Sequence, residues 1–491
     1  MANTFPTTKV PMMSLKFDNT YAVNSTPGWK TLIIGYKNND SKTPVNKTFL
    51  VTSAKEGEDL FGKGSLLEEQ ITAYKANDMN VETWAIAIEE PKSMGTMTLT
   101  PVLDTEPTEG IKGQISIYLD TLNIKIDFDS TKKGTDSSLI YLYKILNDGI
   151  NNNLNSKFSS ELVLDSKKSI TSIILKKKQL YNKISTLIFK CDALPQGIKQ
   201  IQASDFKPGD TLLPKISDVF DAIKDNRYNA FVCPFSDAEN LKILSDKLRE
   251  RWEPTLQNDG FAFVFINKPI QDAADYCSKE LNSQNIAMIN TFNFPDAGHK
   301  INAALAAQCC AVAHSDPALP LTTMILSGIT APDEEHQFSW QERSNLLDSG
   351  ISTLKIIGPD VVVERVITTY KTTNGIKDES YLNAETVFTL SYIREYFRNR
   401  FWGKFGQFKL ADDGAVIQPG QRILTPKTAK AELISIYKEL EDMGYVENGD
   451  LFVKNLSVER DKINRSMIHM VLPPTVIGQL FQVQALIQFR K

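Results

Sequence analysis

The chain has 491 residues with 55 basic and 59 acidic side chains, a net charge of -4, and 42% hydrophobic residues. That length accommodates several domains with buried cores, and the charge balance gives no reason to expect a nucleic acid or an acidic membrane surface as partner. No run of about 18 apolar residues is present, so no ordinary membrane-spanning helix and no direct membrane insertion are expected, and residues 1–8 lack the basic-then-apolar order of a secretory signal.

Five cysteines, Cys191, Cys233, Cys277, Cys309 and Cys310, include no C-x-x-C pair. Cys309 and Cys310 lie inside the Ala-rich run 301–313, where thiols read as small hydrophobes of a buried helix made at a reducing site.

In chain order, residues 6–11 form an extended lead, and Met13, Leu15 and Phe17 then alternate with Ser14, Lys16 and Asp18 as a short candidate strand. Residues 1–27 read as an arm. Residues 29–36 and 49–52 predict strands. Ser53 is placed to cap a first helix and Ser65 a second that runs to about Asn77, with Glu68 three positions on. A strand over 81–88 completes an α/β unit.

Composition changes near residue 91. Thr and Pro gather at 98–107, residues 113–126 alternate as strands do, 137–147 predict a helix, and 169–175 and 184–191 predict short strands. The Asn-rich stretch 147–160 reads as solvated loop. An inserted, mostly β domain is expected over 92–205.

The α/β pattern then resumes, with strands at 230–233, 261–266 and 286–290 and helices at 236–252, 273–281 and 299–314, the last stopping at Asp316-Pro317. The run 261–266 (FAFVFI) is uninterruptedly apolar, the signature of a strand buried on both faces. Residues 28–91 and 206–370 therefore predict one layered α/β core.

An α+β C-terminal domain is expected over 371–480. It holds a long helix at 384–404 with Arg394, Arg398 and Arg400, a second at 426–443 ended by Gly444, and strands at 452–460 and 466–471 before the break at Pro473-Pro474.

In 481–491, Phe481, Val483, Ala485, Ile487 and Phe489 fall on alternate positions, and only Leu486 interrupts the polar face of Gln482, Gln484, Gln488 and Arg490. Such a strand has to be held by the subunit's own sheet or by another copy's. Two terminal strands of this kind suit a protein that adds strands to its neighbours; two edge strands within one subunit are the alternative.

Residues 57–64 match G-x-x-x-x-G-K, but Gly64 stands where a phosphate loop needs Ser or Thr to reach magnesium. His299, His314, His336 and His469 have no neighbour at metal-ligand spacing. The consecutive His314-Ser315-Asp316 cannot point at one another as a triad must, and they read as a helix end. No catalytic, cofactor-binding or metal site is expected, and the chain is not expected to be an enzyme.

Residues 319–373 (LPLTTMILSGITAPDEEHQFSWQERSNLLDSGISTLKIIGPDVVVERVITTYKTT), 378–400 (DESYLNAETVFTLSYIREYFRNR), 424–427 (LTPK), 431–444 (AELISIYKELEDMG) and 471–490 (VLPPTVIGQLFQVQALIQFR) resemble the tail-sheath proteins of Mu-like contractile phages. The 28–35 strand, the 51–53 turn, the segment 60–65 (LFGKGS) and 81–88 resemble the same family.

The resemblance implies a structural virion protein, made in the host bacterial cytoplasm and found in the tail. It implies subunits that stack as six-fold rings in a helical array around a tail tube and contract to drive the tube through a bacterial envelope. The implied core is likened to subtilisin-type folds without a protease site, and the terminal arms cross to neighbouring subunits and complete a sheet in each C-terminal domain. The implied partners are further copies of the chain, the tail tube protein, and baseplate and tail terminator proteins, with no cofactor and no nucleic acid.

Whether the particle is a phage or a headless bacteriocin-like device stays open. The rival readings are a nucleotide-binding enzyme and a monomeric α/β binding protein. Arg394, Arg398, Glu432, Glu439 and Glu441 are candidate charged partners of the tube, a simple solvating role being the alternative. Hinges are expected at 19–27 and 473–478.

Overall fold

An apolar strand without polar alternation must be covered on both faces. In the computed structural model, which describes residues 28–38, 40–88, 96–104, 112–119, 122–152, 158–165, 169–177, 189–204 and 215–490, Phe261–Ile266 obeys that rule inside a six-stranded sheet. The strand order is Ile286–Asn290, Phe261–Ile266, Ala230–Val232, Lys30–Tyr36, Glu82–Ile88 and Thr48–Leu50. Every pairing is parallel except that of the edge strand Thr48–Leu50. Met13, Leu15 and Phe17, and the hinge expected at 19–27, lie outside the described residues.

Helices α1 (Ala54–Phe61) and α2 (Leu66–Asn77) begin at the expected caps. Ser53 Oγ accepts from Glu56 N at 3.2 Å and Ser65 Oγ from Glu68 N at 3.1 Å, while the Glu68 carboxylate accepts from Gly64 N at 2.9 Å. These bonds satisfy amides that a helix start leaves open. The run 57–64 is thus occupied by helix packing: a Cβ on Gly57 would stand 2.9 Å from Ile71 Cγ2, and Gly62 closes α1 at φ 87°.

The chain then enters a separate apolar cluster drawn from Met97 to Ile201. A four-stranded antiparallel sheet (Ile198–Ala203, Thr96–Leu103, Ile170–Lys177, Phe158–Leu164) and a three-stranded one (Leu122–Asp129, Lys112–Leu119, Phe189–Ala193) share that cluster with α3 (Ser138–Asn151). The two described ends of the Asn-rich stretch are helix and strand where composition suggests loop. Asn151 Oδ1 accepts from Ser160 N at 2.8 Å and its amide donates to Ser160 O at 2.9 Å, tying the helix end to a strand.

Helices α4 (Ile216–Ile223), α5 (Ala238–Trp252), α6 (Ile270–Glu280), α7 (Gly298–Ser315) and α8 (Trp340–Asp348) return the chain to the parallel sheet. α1, α2 and α7 cover the face that carries Phe261, Phe263 and Phe265; α4, α5, α6 and α8 cover the face of Ala262, Val264 and Ile266. In α7, Ala303, Ala304, Ala306, Ala307, Cys309 and Cys310 are all buried, so small side chains and thiols fill the contact with the sheet and α2.

α9 (Ala384–Phe405), α10 (Pro426–Asp442) and α11 (Gly449–Asn455) follow. α9 belongs to two cores. Ala384, Val387 and Phe388 pack with the parallel sheet, whereas Ile393, Tyr396 and Phe397 pack with Leu433, Ile436 and Tyr437 of α10. One helix therefore joins the α/β core to the C-terminal region, and its packing crosses the boundary expected at 371.

α11 replaces the start of the strand expected over 452–460. Phe452 and Leu456, four apart, are both buried, and Phe452 stacks on Tyr437 with centroids 3.8 Å apart. That spacing is helical, and the strand begins only at Ser457. Among the described residues no helix is long and apolar enough to cross a membrane.

Candidate assembly interface

Beyond α11 the strands Ser457–Arg460 and Ile468–Val471 pair, among the described residues, only with each other, in the register Ser457 to Val471 and Arg460 to Ile468. A two-stranded ribbon is marginal by itself. This one rests on the C-terminal core through Val458, Ile468 and Met470. Ser457, Glu459, His469 and Val471 are exposed on its other face.

The turn is well bonded. Asp461 Oδ1 accepts from Ile463 N at 2.8 Å and from Asn464 N at 2.5 Å, and Asp461 Oδ2 lies 2.7 Å from His469 Nε2. The His469 contact holds the Asp461 carboxyl below its usual range. Asp412 ties the turn to the loop after α9 through Arg460 at 3.0 Å and Arg465 at 3.1 Å.

Downstream, the segment expected to hinge at 473–478 is held by its own subunit. Thr475–Val476 pairs with Val446–Glu447, Ile477 N donates to Tyr445 O at 3.2 Å, and Gln479 Nε2 donates to Ala318 O at 3.2 Å. The last hold is Phe481, whose ring lies under the Arg365 guanidinium at 4.6 Å. Arg365 in turn donates to Asn383 Oδ1 at 3.0 Å, at the N-cap of α9. A cation over an aromatic face is attracted by the ring's negative face, so Phe481 roots the arm.

From Gln482 to Arg490 the chain is exposed and pairs with no strand among the described residues. Val483 is 75%, Ile487 87% and Phe489 81% exposed. Among the described residues, therefore, these form no strand of the subunit's own sheets, one of the two options left by the sequence. A row of exposed apolar side chains is a candidate contact.

Behind the root, Glu385 is fully buried in the first turn of α9. Its Oε1 accepts from Leu321 N at 2.7 Å, while Oε2 has no hydrogen-bond partner among the described residues. Burial pushes this carboxyl above its ordinary range, with the Leu321 bond and Arg365 opposing. A carboxyl whose folded pKa is raised stabilises the fold in full below its unfolded pKa, and that contribution is lost as pH rises through the folded value. Glu385→Gln is expected to match the parent in urea unfolding near pH 4 and to exceed it at pH 8. Identical curves at both pH values would contradict the assignment.

The five candidate tube contacts are mostly committed inside the subunit. Arg394 Nη1 bonds Asp259 Oδ1 and Trp252 O, each at 2.7 Å, and its guanidinium lies 4.5 Å from the centre of the Trp252 ring. Ser391 donates to the other Asp259 oxygen at 2.9 Å, and Arg227 pairs with Glu395 beside it. Glu439 accepts from Tyr396 at 2.6 Å and from Arg400 at 2.5 Å, Glu432 pairs with Lys404, and Glu441 accepts from Gly449 N at 2.9 Å at the start of α11. Arg398 alone of the five is exposed, with a 3.4 Å contact to Gln257. Their partners lie far off in sequence or on another helix, so charge spacing along α9 and α10 carried no sign of them.

The profile of the phage tail sheath protein central domain matches residues 213–369, and that of the phage tail sheath C-terminal domain matches 376–490. Together they span more than half of the chain. The chain belongs to the phage tail sheath protein family.

Sheath relatives match over almost the whole length. The Mu-like prophage FluMu tail sheath protein of Haemophilus influenzae is 29% identical over 98% of this chain and 97% of its own. Among solved structures, a sheath tail protein of Desulfitobacterium hafniense covers 95% of this chain and 100% of its own at 10% identity and a TM-score of 0.49. The contracted PVC sheath complex of an extracellular contractile injection system covers 99% and 98% at 9% identity and a TM-score of 0.48. In this sheath-family chain both ribbon strands were expected from the sequence, the first with too early a start, whereas the Arg365–Phe481 root was missed. A guanidinium over a distant ring leaves no periodic signal.

Proposed function

We propose that the chain is the structural, non-catalytic subunit of a contractile tail sheath. It polymerises as helically stacked hexameric rings around a tail tube and, on contraction, drives the tube through a bacterial envelope. Its layered core serves as the family's protease-free version of the subtilisin-like arrangement. Its partners are further copies of itself, the tail tube, and baseplate and terminator proteins, and it resides in the virion tail after synthesis in the host cytoplasm.

The observation that carries this reading is that, among the described residues of a chain of the sheath family, the exposed segment 482–490 pairs with no strand and the 457–471 ribbon gains no third one. In the proposed lattice the arm of one copy, whose apolar face carries Val483, Ala485, Ile487 and Phe489, adds to the 457–471 ribbon of the next, and Met13, Leu15 and Phe17 supply a second added strand. A head-to-tail contact that does not close on itself builds a filament. The energy of contraction comes from a metastable extended lattice relaxing into a second packing of the same folded units, without a nucleotide. Arg398 is the remaining charged candidate for the tube.

Negative-stain imaging of the concentrated, nucleotide-free protein tests the proposal. Cylinders that form and contract without ATP support it; particles that stay monomeric at high concentration, or a nucleotide requirement, overturn it.

A further inference from the structure

Strand exchange alone leaves the register of the added strand open, and a slip by one residue would turn every apolar side chain outward. Resting on the arm-exchange reading above, we infer that the arm of a second copy adds antiparallel to the outer edge of Ile468–Val471, with Leu486 opposite Val471.

Three observations converge on this register. Leu486 is the one apolar residue on the arm's polar face and is 85% exposed; Val471 is the one apolar residue on the outward face of the ribbon and is 61% exposed. Placing them opposite each other removes both from water. The same register puts Ile487 beside Met470 and Phe489 beside Ile468 on the inward face, over the apolar layer that Val458 already joins.

Backbone parity agrees. Asp461 N donates to Met467 O inside the ribbon, so by alternation Glu459–His469 and Ser457–Val471 exchange the ladder bonds. Ile468 and Met470 then turn their backbone groups to the open edge, and Val471 becomes a close, non-hydrogen-bonded position for an incoming strand.

Direction follows from what lies at each end. A parallel arm with Leu486 at Val471 would set Phe489 against Pro474, which has no N–H to give. The antiparallel arm instead brings Arg490 to the turn beside Met467, where the Asp461 carboxylate is held ionised by its contacts. Only residues 482–484 then separate the Phe481 root from the first paired residue, Ala485, a span of at most about 14 Å. Neighbouring C-terminal regions must stay that close before and after contraction.

The test is a disulfide scan in the full-length chain assembled into cylinders. Opposed positions of a non-hydrogen-bonded antiparallel pair lie about 4.5 Å apart at Cα, within disulfide range, whereas diagonal ones at about 7–8 Å do not. Mild oxidation of Leu486→Cys/Val471→Cys is expected to give a ladder of covalent multimers at least about tenfold more abundant than Leu486→Cys/His469→Cys or either single variant, the fall-off expected of a bond this strict in geometry. Equal or better linking at 469, or no linking in well-formed cylinders, overturns the register. Cylinders that survive loss of residues 482–491 would instead overturn arm exchange itself, which keeps the two failures apart.

Discussion

Arg394→Ala is expected to cost the folded subunit about 3–5 kcal/mol in urea unfolding, the range for stripping one partner from a buried ion pair. Asp259 is only 4% exposed, and without Arg394 it keeps a single hydroxyl donor from Ser391. Burial already pushes its carboxyl up against the pull of Arg394. The variant would also lose the bond to Trp252 O and the contact with the Trp252 ring.

Arg398→Ala, one turn along the same helix and exposed, is expected to stay within about 0.5 kcal/mol of the parent. The double variant Arg394→Ala/Asp259→Asn should recover part of the loss, because the uncompensated charge is gone. If Arg394→Ala and Arg398→Ala unfold alike, α9 is not latched to the α/β core in the manner described. The latch also bears on how force is carried: the first half of α9 is packed under the parallel sheet and the second half forms the C-terminal core. A pull on the arm root at Arg365 therefore meets one continuous packed unit.

Ending the chain at Phe481 is expected to abolish cylinders completely while leaving subunit stability within about 0.5 kcal/mol of the parent. Residues 482–490 are exposed, so their loss takes nothing from the fold. The retained Phe481 keeps its place under Arg365. Assembly suffers far more, since every head-to-tail link in the filament uses this arm, so all links lose it at once and the N-terminal strand is left to hold the lattice alone. Sedimentation and electron microscopy read the first effect, and urea titration the second. Cylinders built from the shortened chain would refute the role given to the arm, and a large drop in stability would show that the arm belongs to its own subunit.

Much of the fold is legible because its physics is local. Phe261–Ile266 announces a doubly covered strand by having no polar position, and Ser53 and Ser65 announce two helices by standing ahead of them with an acid three residues on. The Ala- and Cys-rich run of α7 is legible as a buried helix for the same reason. What fails is whatever depends on a distant partner. Arg394 and Asp259 are 135 residues apart, and Arg227 and Glu395 168, so no window along the sequence reveals that these charges are already spoken for. The reading of 452–460 as one strand fails differently. Alternation and the four-residue step both fit Phe452 and Leu456, and the stacking of Phe452 on Tyr437 decides for a helical turn. For the arm, alternation marks an apolar face, but whether that face finds a ladder depends on another copy of the chain.

Hydrogen–deuterium exchange of residues 482–490, in isolated subunits and in assembled cylinders, tests the central claim most directly. The account predicts amides that exchange at the rate of an open chain in the subunit and become strongly protected in the cylinder, together with the outer edge of Ile468–Val471. Fast exchange of this segment in both states, or full protection already in the isolated subunit, would contradict it.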